Sequence, residues 1–223
     1  RDWTDGGFVD PETNKTLTVS GVLNVHGPTI AGKINVVDGW LMPEKTTACV
    51  VAPEGLDLGA NSELRSLGGN DGVPVEAPVR VTGEGAVMGN QSLLLNQGLQ
   101  VESSADLTVN KIGSGTTTVF GGVTNAGAIT VNAGAFRIDN GLYTGEGTFA
   151  QKGGSTSFFG DGSAVEKVNF AVTGGQLHFG EGANKEMPAI GTLAGTIRNA
   201  STFIEPFAAK TIHTEFDALF TAT

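Results

Sequence analysis

Residues 125 to 138 carry a seven-residue unit written twice in tandem: Asn125-Ala126-Gly127-Ala128-Ile129-Thr130-Val131, then Asn132-Ala133-Gly134-Ala135-Phe136-Arg137-Ile138. In each copy an Asn and a Gly bracket a small residue, which suits a tight corner at φ > 0. An alternating run follows whose apolar members share one face. Each copy is a corner plus a short strand. Such a strand buries too little to stand alone, so units of this kind are stable only when similar units stack above and below them. The tandem pair therefore reads as two sides of one coil of a β-solenoid.

The same grammar runs along most of the chain. Leu17/Val19, Leu23/Val25 and Ile34/Val36 open it; Leu93/Leu95, Leu99/Val101 and Leu107/Val109 continue it; Leu142, Phe149, Phe158/Phe159, Val168/Phe170/Val172 and Leu177/Phe179 follow the duplicated unit. No sustained i, i+3, i+4, i+7 stripe is present before about residue 205, so the body is all-β. Trp40-Leu41-Met42-Pro43 breaks the rhythm and, with the stretch to Thr47, reads as a protruding loop. Gly68-Gly69-Asn70-Asp71-Gly72 reads as a second loop, only distantly like a calcium-binding nonapeptide. Pro74 and Pro78 restrict their strands to edges or to places where no ladder donor is needed.

With roughly 20 to 25 residues per coil, the body forms about seven or eight coils. The expected organisation is an N-terminal cap over 1–14, a solenoid body over 15–187, and a C-terminal cap or junction to a following module over 188–223. Phe203, Phe207, Phe216, Leu219 and Phe220 load the C-terminal segment with apolar surface. They are expected to fold back over the last coil and leave a monomer, with head-to-tail stacking as the competing outcome. A chain beginning at Arg1 is expected to be a processed product or a piece of a longer one.

Composition narrows the function. Glycine, at 34 residues, fits many corners, and the absence of a Gly-x-y period excludes collagen. A net charge of −10, without clustered Lys or Arg, argues against a nucleic-acid partner. No run is apolar and long enough for a transmembrane segment. The single cysteine, Cys49, excludes an intrachain disulfide and reads as a buried small hydrophobe.

From Lys111 the order is Lys111-Ile112-Gly113-Ser114-Gly115, the strand Thr116-Thr117-Thr118-Val119-Phe120, and, after a Gly/Thr-rich middle, Thr130-Val131-Asn132-Ala133-Gly134-Ala135-Phe136. This resembles the autotransporter-associated β-strand repeat, also called the passenger-associated transport repeat: Lys-x-Gly-x-Gly, a Thr/Leu strand, a Gly-rich turn and a closing Val-x-x-Gly-x-Leu. A fainter copy runs from Lys152-Gly153-Gly154 through Phe158-Phe159-Gly160 to Val172-Thr173-Gly174-Gly175-Gln176-Leu177. Phe136 stands at the usual Leu position, and the second copy lacks the Gly-x-Gly spacing. The resemblance implies a right-handed parallel β-helix from a large bacterial surface or secreted protein, and no catalytic residues.

Enzymatic chemistry has one candidate group, Asp139, Glu146 and Asp161 with Arg137 and Lys152, which stacked corners could align for glycoside hydrolysis or polysaccharide lysis. Outward polar residues are nevertheless expected on every coil. Sugar clefts usually offer aromatic faces, yet the chain has two Trp and one Tyr, with Trp3 and Trp40 in irregular segments. His26, His178 and His213 lack metal-ligand spacing. No Gly-x-Ser-x-Gly elbow or Walker loop occurs, and Gly145-Glu146-Gly147 is too short to indicate nucleotide binding. The sequons at Asn14, Asn90 and Asn199 carry no weight, and Thr16/Thr18 and Thr116/Thr118 lack the fixed period of an ice-binding rank.

No catalytic, cofactor-binding or metal-ligating residue is assigned. The expectation is a non-enzymatic extracellular module, a stalk, adhesin or surface-assembly element at the bacterial cell surface. Its partner would be a host or neighbouring-cell surface or an extracellular matrix polysaccharide. A polysaccharide-degrading β-helix enzyme and a trimeric phage or virus receptor-binding spike are the alternatives.

Overall fold

A computed structural model describes residues 15–44, 48–68, 72–159, 164–165, 168–179, 189–190, 193–197 and 201–204. Every strand pairing in it is parallel, and every described element is a strand. The strands wind into a β-solenoid of about seven turns. The duplicated unit shows how one turn is built. Strands β13 (Thr116–Phe120), β14 (Val123–Asn125) and β15 (Ala128–Ala133) form three sides, and β16 (Ala135–Asp139) returns to the first side one rung along. The two seven-residue copies thus lie on two different sides, as their corners predict.

The first face is a nine-stranded parallel sheet running from β2 (Thr29–Ile30) to β25 (Ser201–Ile204). The other two faces meet in the long strand β3 (Lys33–Pro43). Its first half pairs with β5 (Leu56–Leu58) and its second half with β6 (Ser62–Ser66). Leu93 lies beside Val73, Thr117 beside Leu93 and Phe136 beside Thr117, so successive turns take 20, 24 and 19 residues. The slack is absorbed at corners.

The strands form where apolar residues alternate because each inward side chain meets its counterpart one rung away. Ile129, Val131, Phe136 and Ile138 are all fully buried. Each such side chain contributes about 1.5–3 kcal/mol by leaving water. Early turns are filled by Leu, Val and Ile; later ones turn aromatic. Tyr143 meets Phe149 and Phe158 edge-on, with ring centroids 6.0 and 5.7 Å apart, and Phe136 sits 6.1 Å from Phe149. Such pairs add about 0.5–1.5 kcal/mol each beyond burial.

The duplicated unit's two glycines serve different purposes. Gly134 has φ of +77°, the left-handed corner that the sequence anticipates. Gly127 has no positive φ; a Cβ there would lie 2.1 Å from the Ala105 carbonyl oxygen, so close approach of the neighbouring turn demands glycine.

Three readings are corrected. Trp40–Pro43 is not a loop: it is the second half of β3, with Leu41 buried and both neighbouring turns paired to it. Leu142 is not core: it is 43% exposed, and Tyr143 takes the inward position. The register with β14 decides this, because Val123, an inward residue, pairs with Tyr143. Cys49 is only half-buried, between buried Ala48 and Val50.

Pro74 sits in a strand paired on both sides, β7 (Val73–Glu76). On one side the partner β4 (Val50–Val51) begins opposite Val75, so the missing donor of Pro74 falls just outside that ladder. Strands Ala189–Ile190, Leu193–Ile197 and Ser201–Ile204 carry parallel pairing past residue 187. The expected N-terminal cap, Asn70 and Asp71 of the glycine-rich loop, and the chain after Ile204 lie outside the described residues. No helix among the described residues is long and apolar enough to cross a membrane.

Candidate functional site

The third face carries strands β6, β9 (Glu84–Gly89), β12 (Asp106–Lys111), β15 and β18 (Thr148–Gln151). Strand alternation turns every second residue outward, and parallel in-register pairing then lines these residues up one per turn. One such row reads Val22, Trp40, Glu63, Ala86, Thr108, Thr130 and Ala150. Ala86 is the small member between larger neighbours. It floors an open groove of about 480 Å³ lined by Trp40, Asn61, Glu63, Glu84, Asp106 and Thr108.

Three carboxylates and one indole thus share a hollow. Arg65 holds one wall: its guanidinium pairs with Glu63 and lies 3.9 Å from the Trp40 ring centroid. A cation over an indole in a half-buried setting contributes about 0.5–2 kcal/mol and fixes the ring's orientation. Glu84 and Asp106 pair in register on adjacent strands, and among the described residues neither forms an ion pair with a cation. Their like charges one rung apart favour a ligand that donates hydrogen bonds or carries positive charge. Beyond Trp40 a smaller apolar depression of about 320 Å³ is lined by Gly21, Val22, Asp38 and Gly39. Asn61 donates to Asp38 at 2.9 Å between the two hollows.

Three described members of the carboxylate group read from the sequence stand on separate corners. Asp139 ends β16, Glu146 lies between β17 (Leu142–Thr144) and β18, and Lys152 follows β18. They occupy three different edges of one turn, Arg137 projects from the flat of β16, and Asp161 lies outside the described residues. Residues one turn apart can share a site in a solenoid; residues on separate corners of the same turn cannot. Reading Trp40–Pro43 as a loop hides the groove residues, because it takes Trp40 out of the row it shares with Glu63 and Ala86. The signal that finds them is the spacing of about one coil from Trp40 to Glu63 to Ala86 to Thr108.

His26 approaches Glu44 at 3.7 Å, while the side chain of His178 and all of His213 lie outside the description. Among the described residues no group of three or more His, Cys, Asp or Glu is placed to hold a metal ion. Burial, followed by the Glu76 charge, raises the Cys49 thiol above its ordinary value, which disfavours the nucleophilic thiolate.

The second unusual place is internal. Lys111, the lysine of the Lys-x-Gly-x-Gly segment, is buried at 1% exposure, and burial lowers its amine to about 7. The corresponding lysine of the fainter copy, Lys152, is exposed; its neighbour Gln151 is buried instead and donates to the Gln176 carbonyl at 2.6 Å.

Comparison with protein-family models, with curated proteins and with solved structures finds no match to this chain.

Proposed function

We propose that this chain is a non-enzymatic display module of a bacterial surface or secreted protein, a stiff β-solenoid whose third face contacts glycan at a neighbouring surface or matrix. The observation that carries this reading is the hollow over Ala86, where an oriented indole and the neighbouring carboxylates of Glu84 and Asp106 share one open groove. An indole offers a sugar ring an apolar plane, and carboxylates accept hydrogen bonds from hydroxyl or ammonium groups. Neutral and amino-substituted chains fit this lining, whereas uronic-acid chains meet like charge. The resemblance of Lys111–Phe136 to the autotransporter-associated repeat supports the surface assignment, and the parallel stack agrees with that family's architecture.

The test is a panel of neutral, amino-substituted and uronic-acid oligosaccharides, read both for binding and for new reducing ends or unsaturated products. The expected result is binding of the first two classes without product, lost when Ala86→Arg fills the hollow. Binding unaffected by Ala86→Arg would place the contact elsewhere. A polysaccharide-cleaving enzyme is the second reading, favoured by Glu63, Glu84 and Asp106 lining one groove. Product formation abolished by Glu84→Gln or Asp106→Asn decides for it.

A further inference from the structure

Lys111 ends β12 and reaches back along the solenoid axis. Its rung neighbour is Gly89, whose own neighbour is Ser66, so three successive turns meet at this corner. The Nζ donates to Ser66 Oγ at 2.6 Å, to the Met88 carbonyl at 2.8 Å and to the Gln91 carbonyl at 2.9 Å. The Ser66 hydroxyl in turn donates to the Gln91 carbonyl at 2.5 Å. Glycines flank the rung on both sides. A Cβ at Gly89 would lie 2.0 Å from the Ser66 carbonyl oxygen, and one at Gly134 would lie 2.3 Å from Lys111 Cβ. A buried lysine ordinarily pairs with a carboxylate; this one is met by neutral oxygens. The charged groups on the packed strands are Glu63 and Arg65 on β6, Glu84 on β9 and Asp106 on β12. None of them bonds Nζ, and β15 carries no charged residue.

We infer that Lys111 and Ser66 form a proton-exchanging clasp across three turns, in which a buried amine gains and loses a proton while the corner stays hydrogen-bonded in both forms. The protonated amine has three N–H donors for three acceptors, and Ser66 serves as acceptor from Nζ and donor to Gln91. On loss of the proton, Nζ keeps two N–H groups for the Met88 and Gln91 carbonyls. Its new lone pair accepts the Ser66 hydroxyl, which rotates away from Gln91. One hydroxyl rotation therefore satisfies both states, so titration requires no opening of the corner.

Burial supports the same device, since it moves the amine from 10.5 to about 7. The unfolded chain then binds more protons than the folded one between these values, so folding tightens as pH rises from about 7 toward 10.5. Below about 7 both states are protonated and the dependence ends.

The experiment is an NMR titration of the lysine Cε and Nζ resonances in the intact chain, with Lys111→Met assigning the signal. The expected result is a Lys111 midpoint near 7, well below the ordinary lysine value of 10.5. Ser66→Ala should lower that midpoint by about one unit, because the ammonium loses more from a missing acceptor than the amine does. A merely structural serine would leave the midpoint unmoved. A Lys111 midpoint near 10.5, or one unchanged in Ser66→Ala, overturns the clasp. If a variant does not fold, the titration of the intact chain still decides.

Discussion

Asn125 donates its side-chain amide to the phenolic oxygen of Tyr143 at 3.1 Å, across one rung of the stack. The same amide donates to the Thr148 carbonyl at 3.0 Å, and both residues are fully buried. Asn132, which holds the corresponding place in the second copy of the duplicated unit, is exposed. Asn125→Ala leaves the buried Tyr143 hydroxyl without its donor and should cost about 1–3 kcal/mol in urea denaturation. Asn132→Ala should fall within about 0.5 kcal/mol of the parent. Equal effects would contradict the inside and outside assignment of the two copies.

Val131→Asp places a charge between stacked turns without a partner. The expected loss is on the order of 4 kcal/mol or more, enough to prevent folding at 37 °C in a marginally stable chain. Leu142→Ser, at a position the alternation alone assigns to the core, should be tolerated, because that side chain is largely in water. Circular dichroism during thermal melting distinguishes the two.

Stability should depend on pH through Lys111. Between about 7 and 10.5 the folded chain binds up to one proton fewer than the unfolded chain. The folding equilibrium constant therefore rises by at most about tenfold per pH unit across that window. Lys111→Met should remove this component. Urea midpoints of both chains at a series of pH values provide the measurement, and parallel curves would contradict it.

Cys49 should alkylate more slowly than a free thiol at pH 8, because burial and then Glu76 disfavour the thiolate. Glu76→Gln should speed the reaction modestly. A rate at or above that of a free thiol would show the thiolate to be favoured.

The sequence made the fold legible because alternation and corner spacing are local properties: Ile129, Val131, Phe136 and Ile138 are inward as their pattern requires. What it left obscure depends on register between turns. Tyr143 rather than Leu142 points inward because Val123 sits opposite Tyr143, and a slip of one residue exchanges the two faces of a strand. Trp40 belongs to a strand because β1 (Thr16–Val25) and β6 pair with it on either side, which a proline three residues later disguised. The Lys-x-Gly-x-Gly segment was visible, but the bonds of Lys111 to Ser66 and Gln91 join residues 45 and 20 positions apart. The groove over Ala86 was hidden for the same reason: its walls come from four different turns.

The rung-by-rung parallel register of the third face, on which the groove depends, is tested most directly by paired cysteines in a Cys49→Ala background. Ala86 and Thr108 face outward in register on adjacent turns. The Cα separation there is about 4.8 Å, within disulfide range. Ala86→Cys with Thr108→Cys should oxidise readily to an intrachain bridge with the fold retained. Ala86→Cys with Thr130→Cys, two rungs apart, should not. Bridging of the second pair, or its absence in the first, would contradict the stacked register and the groove with it.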